Sequence, residues 1–272
     1  MKKSMISVII PTRNEENYLE KLINSIHFQK INGVEIIIAD HNSKDATKSI
    51  AESYGALVVE GGNPAKGRNQ GAKQSRGELL IFIDADVILP KNLLSKTLHE
   101  FKERDLDIAG TLQEPIPIEK RFKNLEYKLY YSIANQWMTL MQNTKRPYMQ
   151  VCMIVKKEVY DKLGGFDESI AFGEDSELAK RAVRNGYNFG ILTTPGKVFV
   201  STRRFKKENW TLAFKYLYLN SARFFGKEFR NVSKIKYCLN CSEKGVAKLT
   251  CLMLSLKSSK KVVFLFLVKS IN

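Results

Sequence analysis

The sequence predicts an α/β fold built on a doubly wound sheet, and two observations lead to this prediction. Within the first 84 residues, four short apolar runs rich in β-branched side chains alternate with three polar, helix-like stretches. The runs are apolar throughout, which is typical of parallel strands that are covered on both faces. Strands that alternate with helices in this way form layered α/β domains, so we expect one sheet with helices on both sides.

The individual elements follow from local patterns. The predicted strands are Ile6–Ile10, Val34–Ala39, Ala56–Val59 and Glu78–Ile83. The first helix follows Glu15 and Glu16, because acidic side chains favour a helix N-terminus. We expect the second helix to begin at Ser43–Asp45. The third helix is expected to run through Ala72, and the last of these strands follows it.

Polar side chains follow the strands at their carboxyl ends. Ligands of an open α/β sheet bind beyond these ends, so we expect the side chains to line one crevice. They are Thr12, Arg13, Asp40, Asn63, Asp84 and Asp86. The turn after the first strand has no Gly-x-Gly-x-x-Gly pattern and no glycine-rich loop with a lysine. This argues against a dinucleotide-binding fold and against a phosphate-cradling loop.

Asp84 and Asp86 follow the most apolar of the strands. In extended chain, side chains two residues apart point to the same side, so these two carboxylates are expected to converge. A pair of hard oxygen ligands suits Mg²⁺ or Mn²⁺, and such an ion in turn suits a diphosphate. A solvated turn after a strand is the alternative interpretation of a bare Asp-x-Asp.

The net charge of +16 lies mostly at the C-terminal end. Residues 201–272 contain 16 Lys and Arg against three acids, a balance of +13, which leaves about +3 for the first 200 residues. A local basic excess points to an anionic surface such as lipid headgroups or nucleic acid. We therefore divide the chain into an α/β domain, residues 1–205, and a basic, amphipathic, helical C-terminal segment, residues 206–272.

Cysteine usage and the N-terminus indicate the compartment. The four cysteines are too few and too scattered for a disulfide framework, and Cys238–Cys241 is a single Cys-x-x-Cys without a nearby histidine, a weak zinc signal. Lys2 and Lys3 precede a short apolar run that is broken by Pro11, which is not the pattern of a signal peptide. We expect a cytoplasmic protein.

Five stretches carry a resemblance to a known family. They are Val8–Glu15, Ile38–Asp45, Phe82–Asp86, Gly164–Glu168 and Gly173–Arg181. The first three resemble the N-terminal motifs of the family 2 glycosyltransferases, which have the GT-A fold, with its Rossmann-like mixed sheet. The last two resemble the acceptor-side Gly-Gly-Phe turn and the Glu-Asp motif of that family. The similarity covers roughly residues 5–205.

The resemblance implies an inverting sugar transfer from a nucleotide-diphospho-sugar, assisted by Mg²⁺ or Mn²⁺. The positions that match nucleotide-binding residues are Thr12, Arg13, Glu15, Asp40 and Arg68. Asp84 and Asp86 match the motif that binds the metal and the diphosphate, and Asp175 matches the catalytic base. In one departure, His41 stands where many members have a second aspartate, which puts uridine specificity in doubt. Without the resemblance, a charge at a helix N-terminus is the favoured explanation of Asp175.

Two further stretches bear on the site. Arg203 and Arg204 follow an apolar strand, Lys197–Val200, and could clamp a diphosphate, although a solvated basic turn is the alternative. An apolar stripe at helical spacing is predicted to be core or a lid over the acceptor cleft. It comprises Phe122, Leu125, Leu129, Ile133, Trp137 and Leu140.

The C-terminal segment combines aromatic and basic residues. Its aromatic and apolar face comprises Trp210, Phe214, Leu217, Phe224 and Phe225. Two later apolar runs are separated by Lys257, Lys260 and Lys261, and three lysines at a bilayer centre would cost roughly 8–10 kcal/mol. We expect a helix in the interface of an anionic membrane and, as the acceptor, a lipid-linked or other glycan. The alternative is that these runs pack on the catalytic domain.

Two other functions compete with sugar transfer as interpretations of the sequence. A sugar-phosphate nucleotidyltransferase shares the α/β half but needs a glycine-rich loop with a lysine after the first strand, where this chain has Pro11–Asn14. A non-enzymatic protein that binds an anionic surface or nucleic acid would explain the basic tail, but a nucleic-acid partner does not explain the five motifs.

Overall fold

The structure is a computed structural model that describes residues 5–119, 121–170, 172–193 and 196–203. Arg204, the predicted C-terminal segment 206–272 and its Cys-x-x-Cys lie outside these ranges. The strands are β1 (Ile6–Thr12), β2 (Val34–Asp40), β3 (Leu57–Glu60), β4 (Leu79–Ile83), β5 (Val87–Ile88), β6 (Ile108–Thr111), β7 (Gln113–Pro115), β8 (Cys152–Lys156), β9 (Phe189–Leu192) and β10 (Val198–Val200). The helices are α1 (Leu19–His27), α2 (Thr47–Ser53), α3 (Pro64–Gln74), α4 (Leu93–Glu103), α5 (Arg121–Met141), α6 (Lys157–Lys162) and α7 (Glu174–Arg184).

The main sheet has seven strands in the order β3-β2-β1-β4-β8-β6-β9. The first four strands in this order are mutually parallel. β8 runs antiparallel to both β4 and β6, and β9 is parallel to β6. This confirms the predicted α/β fold with a mixed, doubly wound sheet.

Both faces of the sheet are buried, as the continuous apolar strands predict. Val8 and Ile10 of β1 point into one core cluster, where they meet Leu22 of α1. Ile9, between them, points into the opposite cluster together with Leu178 of α7. Successive side chains of a strand point to opposite faces, so one strand serves two cores.

The second helix begins later than predicted, at Thr47 instead of Ser43–Asp45. The Asp45 carboxylate accepts hydrogen bonds from the backbone N and the hydroxyl of Thr47, at 3.0 and 2.5 Å. Asp45 therefore acts as a polar turn residue ahead of the helix, and residues 43–46 remain free to contact the loop after β1.

A second sheet of three strands has the order β5-β10-β7. The predicted strand at Lys197–Val200 is confirmed as β10, which lies parallel to β7 and antiparallel to β5. Because β5 follows directly after the Asp84–Asp86 turn, this small sheet brings the end of β10, and with it Arg203, back to the carboxyl edge of the main sheet.

The apolar stripe of α5 is not core, so that part of the prediction is wrong. Its six side chains are 39–84% exposed. The opposite face of the helix is buried instead, through Tyr127, Tyr131, Asn135, Met138 and Met141. Nowhere in the described ranges is a helix both long enough and apolar enough to cross a membrane.

Candidate active site

The loops after β1 and β2 are joined side by side at the carboxyl edge of the sheet. The backbone N of Asn14 donates to the Ser43 hydroxyl, and the Asn14 side chain accepts from the backbone N of Lys44, both at 2.8 Å. Glu16 accepts from the backbone N of Ala46 at 3.0 Å. Asn14 has a φ of 55°, a left-handed conformation that asparagine tolerates better than most residues. Two stretches about 30 residues apart in sequence thus form one wall.

Asp40 lies buried at the base of this wall. Its carboxylate accepts from the Thr12 hydroxyl at 3.2 Å and from the backbone N and hydroxyl of Ser43 at 3.0 and 2.5 Å. Lys48 lies 3.5 Å from the same carboxylate. Thr12 and Asp40 are 4% and 3% exposed, so both are fixed before any ligand arrives. Arg13 is exposed beside them.

Arg203 connects the end of β10 with both sides of the crevice. Its guanidinium donates two hydrogen bonds to the Glu15 carboxylate, at 2.6 and 2.7 Å. Its Nε lies 2.9 Å from the carboxylate of Asp86, which is 5% exposed. The ring of Tyr18 stacks under the guanidinium at 4.5 Å, a distance typical of cation–π contacts. Arg203 is therefore held at the carboxyl ends of β1 and β4.

Arg68 occupies the centre of the site. This residue of α3 is only 3% exposed and donates to Asp84 at 2.8 Å and to Glu174 at 2.5 Å. The same guanidinium lies 3.6 Å from Asp175. Burial alone would lower the pKa of the Arg68 guanidinium, but the charges of Asp175, Glu174 and Asp84 raise that pKa above its ordinary value.

The Asp84–Asp86 segment turns instead of continuing as extended chain. The backbone N of Val87 donates to the Asp84 carbonyl at 3.3 Å, and each of the two carboxylates is paired with a different arginine. The same-side argument for extended chain therefore does not describe their arrangement. Among the described residues, no group of three or more His, Cys, Asp or Glu side chains is placed to hold a metal ion. Asp84 and Asp86 carry the hard oxygen donors that Mg²⁺ and Mn²⁺ prefer, and such an ion would take further ligands from water and a diphosphate.

The Gly-Gly-Phe turn is held against α3. Gly164 and Gly165 have φ values of 76° and 72°, as expected for the predicted helix end after α6. The Asn69 side chain accepts from the backbone N of Phe166 at 2.9 Å and donates to its carbonyl at 3.0 Å. Arg181 of α7 donates to the Gly165 carbonyl at 2.6 Å. Adjacent residues of α3 therefore hold the carboxylate cluster and this turn.

Cys152 lies in the same region, but it is a buried cysteine of low reactivity. Burial raises the pKa of its thiol to about 12, and the charges of Asp84 and Asp175 act in the same direction. A thiol of this kind stays protonated near neutral pH, so it is a poor nucleophile.

Most of the predicted site residues come together at one edge of the sheet. Thr12, Asp40, Glu15, Arg203 and Asp86 form one group, and Arg68, Asp84 and Asp175 form the other. Sequence reasoning missed Glu174, Asn69 and Tyr18 as members of the site. Glu174 stands at the first position of α7, where an acidic residue is common, and only its contact with Arg68, 106 positions earlier, makes it a member of the site.

The sequence profile of glycosyl transferase family 2 matches residues 7–164, more than half of the chain. Glycosyltransferase AglE of Haloferax volcanii is 26% identical over 195 residues, which cover 67% of this chain and 62% of that protein. The GalNAc(5)-diNAcBac-PP-undecaprenol β-1,3-glucosyltransferase of Campylobacter jejuni is 35% identical over 114 residues, 39% of this chain and 37% of that protein. The chain thus spans less than two thirds of the length of both relatives.

Solved structures show the same fold. The mannosyltransferase PcManGT of Pyrobaculum calidifontis, in complex with GDP-Man and Mn²⁺, matches with a TM-score of 0.62 at 19% identity, over 95% of this chain and 81% of that one. TarS 1–349 of S. aureus with UDP-GlcNAc matches with a TM-score of 0.58 at 19% identity, over 86% and 70%. At this identity the likeness establishes the fold alone, and it confirms the GT-A fold. With the profile match over residues 7–164, the chain belongs to glycosyl transferase family 2.

Proposed function

We propose that the protein transfers a sugar from a nucleotide-diphospho-sugar to a hydroxyl group of a lipid-linked or other glycan, with inversion at the anomeric carbon. The observation that carries this proposal is the Arg68 cluster. One buried guanidinium contacts both Asp84, in the motif expected to face the diphosphate, and Asp175, the expected base. Arg68 thereby holds together a residue expected to face the sugar donor, Asp84, and a residue expected to act on the acceptor hydroxyl, Asp175.

In this mechanism the acceptor hydroxyl oxygen attacks the anomeric carbon from the side opposite the diphosphate. The bond between that carbon and the phosphate oxygen breaks, and the nucleoside diphosphate departs with the bonding electrons. The hydroxyl proton passes to the carboxylate of Asp175, whose side chain is 16% exposed. One displacement of this kind inverts the configuration.

Asp84 and Asp86 are the residues that would hold Mg²⁺ or Mn²⁺. Both carry hard oxygen donors, and PcManGT was crystallised with Mn²⁺. When bound, the ion supplies positive charge to the departing diphosphate. Arg203 pairs with Asp86 at 2.9 Å. When the donor binds, the guanidinium of Arg203 can pair with the diphosphate instead of with that carboxylate. Arg204 is assigned to the same clamp from the sequence alone.

The nucleotide is expected to lie against the wall formed by Thr12, Arg13, Glu15 and Asp40. Asp40 is already hydrogen-bonded and buried, so it offers a fixed edge for a ribose or base. The solved structures contain UDP-GlcNAc in one case and GDP-Man in another. With His41 in place of the second aspartate, both classes of donor need testing.

The acceptor is expected at a membrane. The Campylobacter relative bears the name of an enzyme for an undecaprenol-linked glycan. A lipid-linked acceptor would bring the enzyme to the cytoplasmic face of the cell membrane, and the basic segment 206–272 is the part assigned to this contact from the sequence. Nothing in the motifs favours a nucleic-acid partner.

The proposal is tested by assaying a panel of UDP-, GDP-, ADP- and dTDP-sugars with Mn²⁺ or Mg²⁺ and polyprenyl-linked acceptors. Thermal shift identifies the donor, because a ligand that binds only the folded protein stabilises it with the logarithm of its concentration. The anomeric configuration of the product is read by NMR. We expect transfer with inversion, and loss of transfer in chelator and in Asp86→Asn.

Asp161→Asn is the matched control, since it makes the same chemical change on the surface of α6. Transfer that persists in chelator, with Asp86→Asn as active as Asp161→Asn, would refute the metal assignment. Retention of configuration would refute the single displacement. Formation of a nucleotide-sugar from a sugar phosphate and a nucleoside triphosphate would favour the nucleotidyltransferase alternative.

A further inference from the structure

The outer face of α5 forms a continuous apolar ridge. The α5 ridge comprises Phe122, Leu125, Leu129, Ile133, Trp137 and Leu140, whose exposed fractions are 84, 66, 57, 56, 39 and 68%. The other side of the same helix is anchored in the core by Tyr131 and Met138. The side chain of Asn135 binds both the backbone N and the carbonyl of Gln113 in β7, at 3.0 and 2.8 Å. The ridge is therefore presented on a fixed helix.

The extent of the ridge is unusual for a surface exposed to water. From Phe122 to Leu140 it spans five turns, or about 27 Å at 1.5 Å per residue. Isolated exposed apolar residues are normal, but a contiguous patch bordered by polar groups marks an interaction site. The helix itself does not meet the requirements for crossing a bilayer. The α5 ridge is instead suited to lie along the surface of a partner.

Basic residues border the ridge. Lys123 and Lys128 lie on its two sides, and Lys145 and Arg146 follow its C-terminal end, all exposed. Against these four cations the same stretch holds one acid, Glu126. Apolar side chains along one line with basic residues at the borders match the surface of an anionic bilayer. The apolar ridge would enter the boundary of the acyl chains, and the basic side chains would contact the headgroup phosphates. Trp137 is of a type enriched at that boundary.

We propose that the α5 ridge is a membrane-docking surface for anionic lipid, and that the GT-A domain contributes this contact independently of segment 206–272. The inference rests on the membrane location given under Proposed function and identifies a surface for it. Anchorage through α5 would also fix β7, and through β7 the strand β10 that leads to Arg203. The crevice would then have a set orientation relative to the lipid carrying the acceptor.

The test is flotation of the full chain with vesicles of phosphatidylcholine alone and of phosphatidylcholine with phosphatidylglycerol. The ridge variant is Leu129→Ser with Ile133→Ser. The matched control is Phe28→Ser with Leu57→Ser, two exposed apolar residues outside α5, at 70 and 48% exposure. Each methylene buried in the membrane changes the partition coefficient roughly fourfold. Partial immersion of Leu129 and Ile133 therefore predicts that the ridge variant loses at least about tenfold in binding to anionic vesicles. The control should bind like the parent chain.

Each other outcome overturns the proposal. If the parent does not float with anionic vesicles, both the ridge and the membrane location fail. If the ridge variant floats like its control while Lys257→Glu with Lys260→Glu and Lys261→Glu detaches, the location stands and the ridge does not. If the ridge variant dissociates a dimer or melts well below its control with unchanged flotation, a second copy or segment 206–272 covers the ridge. Donor binding by thermal shift is measured on every variant and reports separately on the catalytic proposal.

Discussion

Replacing Arg68 by methionine removes one buried cation from between three carboxylates. The contacts that would be lost are those to Asp84 at 2.8 Å, to Glu174 at 2.5 Å and to Asp175 at 3.6 Å. At an effective dielectric constant of about 20, a pair of unit charges at 4 Å attracts by about 4 kcal/mol, and burial of the ions offsets much of this. Breaking a buried ion pair from one side costs about 3–5 kcal/mol, because the remaining charge is left uncompensated.

This loss should lower the melting temperature by about 6–20 °C, at about 2–4 °C per kcal/mol for a chain of this size. The matched control is Arg76→Met, which removes an arginine whose side chain is 75% exposed and whose partner Glu35 lies 2.9 Å away. A surface pair of that kind contributes less than about 1 kcal/mol. Arg68→Lys keeps the charge without the planar fork and should lie between the two.

The pH dependence separates lost charge from lost packing. Without Arg68, three carboxylates lie close together in a largely buried site, and protonation of one of them in the folded variant relieves their mutual repulsion. The folded variant then binds protons more tightly than the unfolded one, so its stability should rise as the pH falls from about 7 to about 5. The parent should lack this recovery. Equal melting temperatures for Arg68→Met and Arg76→Met, or an Arg68→Met deficit that does not change with pH, would refute the reasoning.

Three further predictions concern single groups in the site. Asp175→Asn should lower kcat by roughly 10²–10⁴-fold with donor affinity unchanged in a thermal shift, and loss of donor binding with normal turnover at saturation would move Asp175 to the donor side. Asn69→Ala removes four hydrogen bonds, three with Phe166 and Glu168 of the Gly-Gly-Phe turn and one with Tyr160 of α6, so KM for the acceptor should rise while donor binding is retained; an unchanged acceptor KM contradicts this role. Cys152, with its thiol pKa at about 12 against an ordinary 9.0, should resist alkylation in the folded protein at about pH 8, as measured by mass spectrometry of the digested chain. Because the unfolded chain releases that proton first, this thiol's contribution to stability falls as the pH rises from 9.0 towards 12.

The strands of the first half were predictable because burial on both faces demands apolar residues at every position. The observed β1, β2 and β4 agree with the prediction to within a residue or two at each end. The start of α2 was not predictable to the same degree. Ser43 and Lys44 have the composition of a helix opening, but they bind Asn14, and such a contact across about 30 residues leaves no trace in a local pattern.

The α5 stripe shows a second limit of sequence reasoning. Helical periodicity identified the correct six residues as one face, but it did not determine which face meets the core. The opposite face is also largely apolar, with Tyr127, Tyr131, Met138 and Met141. A helix with two apolar faces can bury only one of them against its own sheet. Here the face that carries Asn135 is the one that packs, because that side chain satisfies both backbone groups of Gln113.

The arrangement of the site depends on how closely α3 approaches β1. Gly71 faces β1, and a Cβ at this position would collide with the side chain of Ile9, so only glycine permits the observed approach. At that depth Arg68 reaches the carboxylates beyond β4 and at the start of α7, while Asn69 reaches the turn before α7. Neighbouring positions of a helix point in different directions, and α3 uses two of them to join the strand-end carboxylates to the proposed acceptor side. Arg68, in the Lys66–Ala72 stretch of α3, was assigned to nucleotide binding from the resemblance, and that role stays a prediction. The contacts described for Arg68 and Asn69 give the same stretch a second task, which is to keep the expected base Asp175, the expected metal ligand Asp84 and the Gly-Gly-Phe turn in one fixed relation.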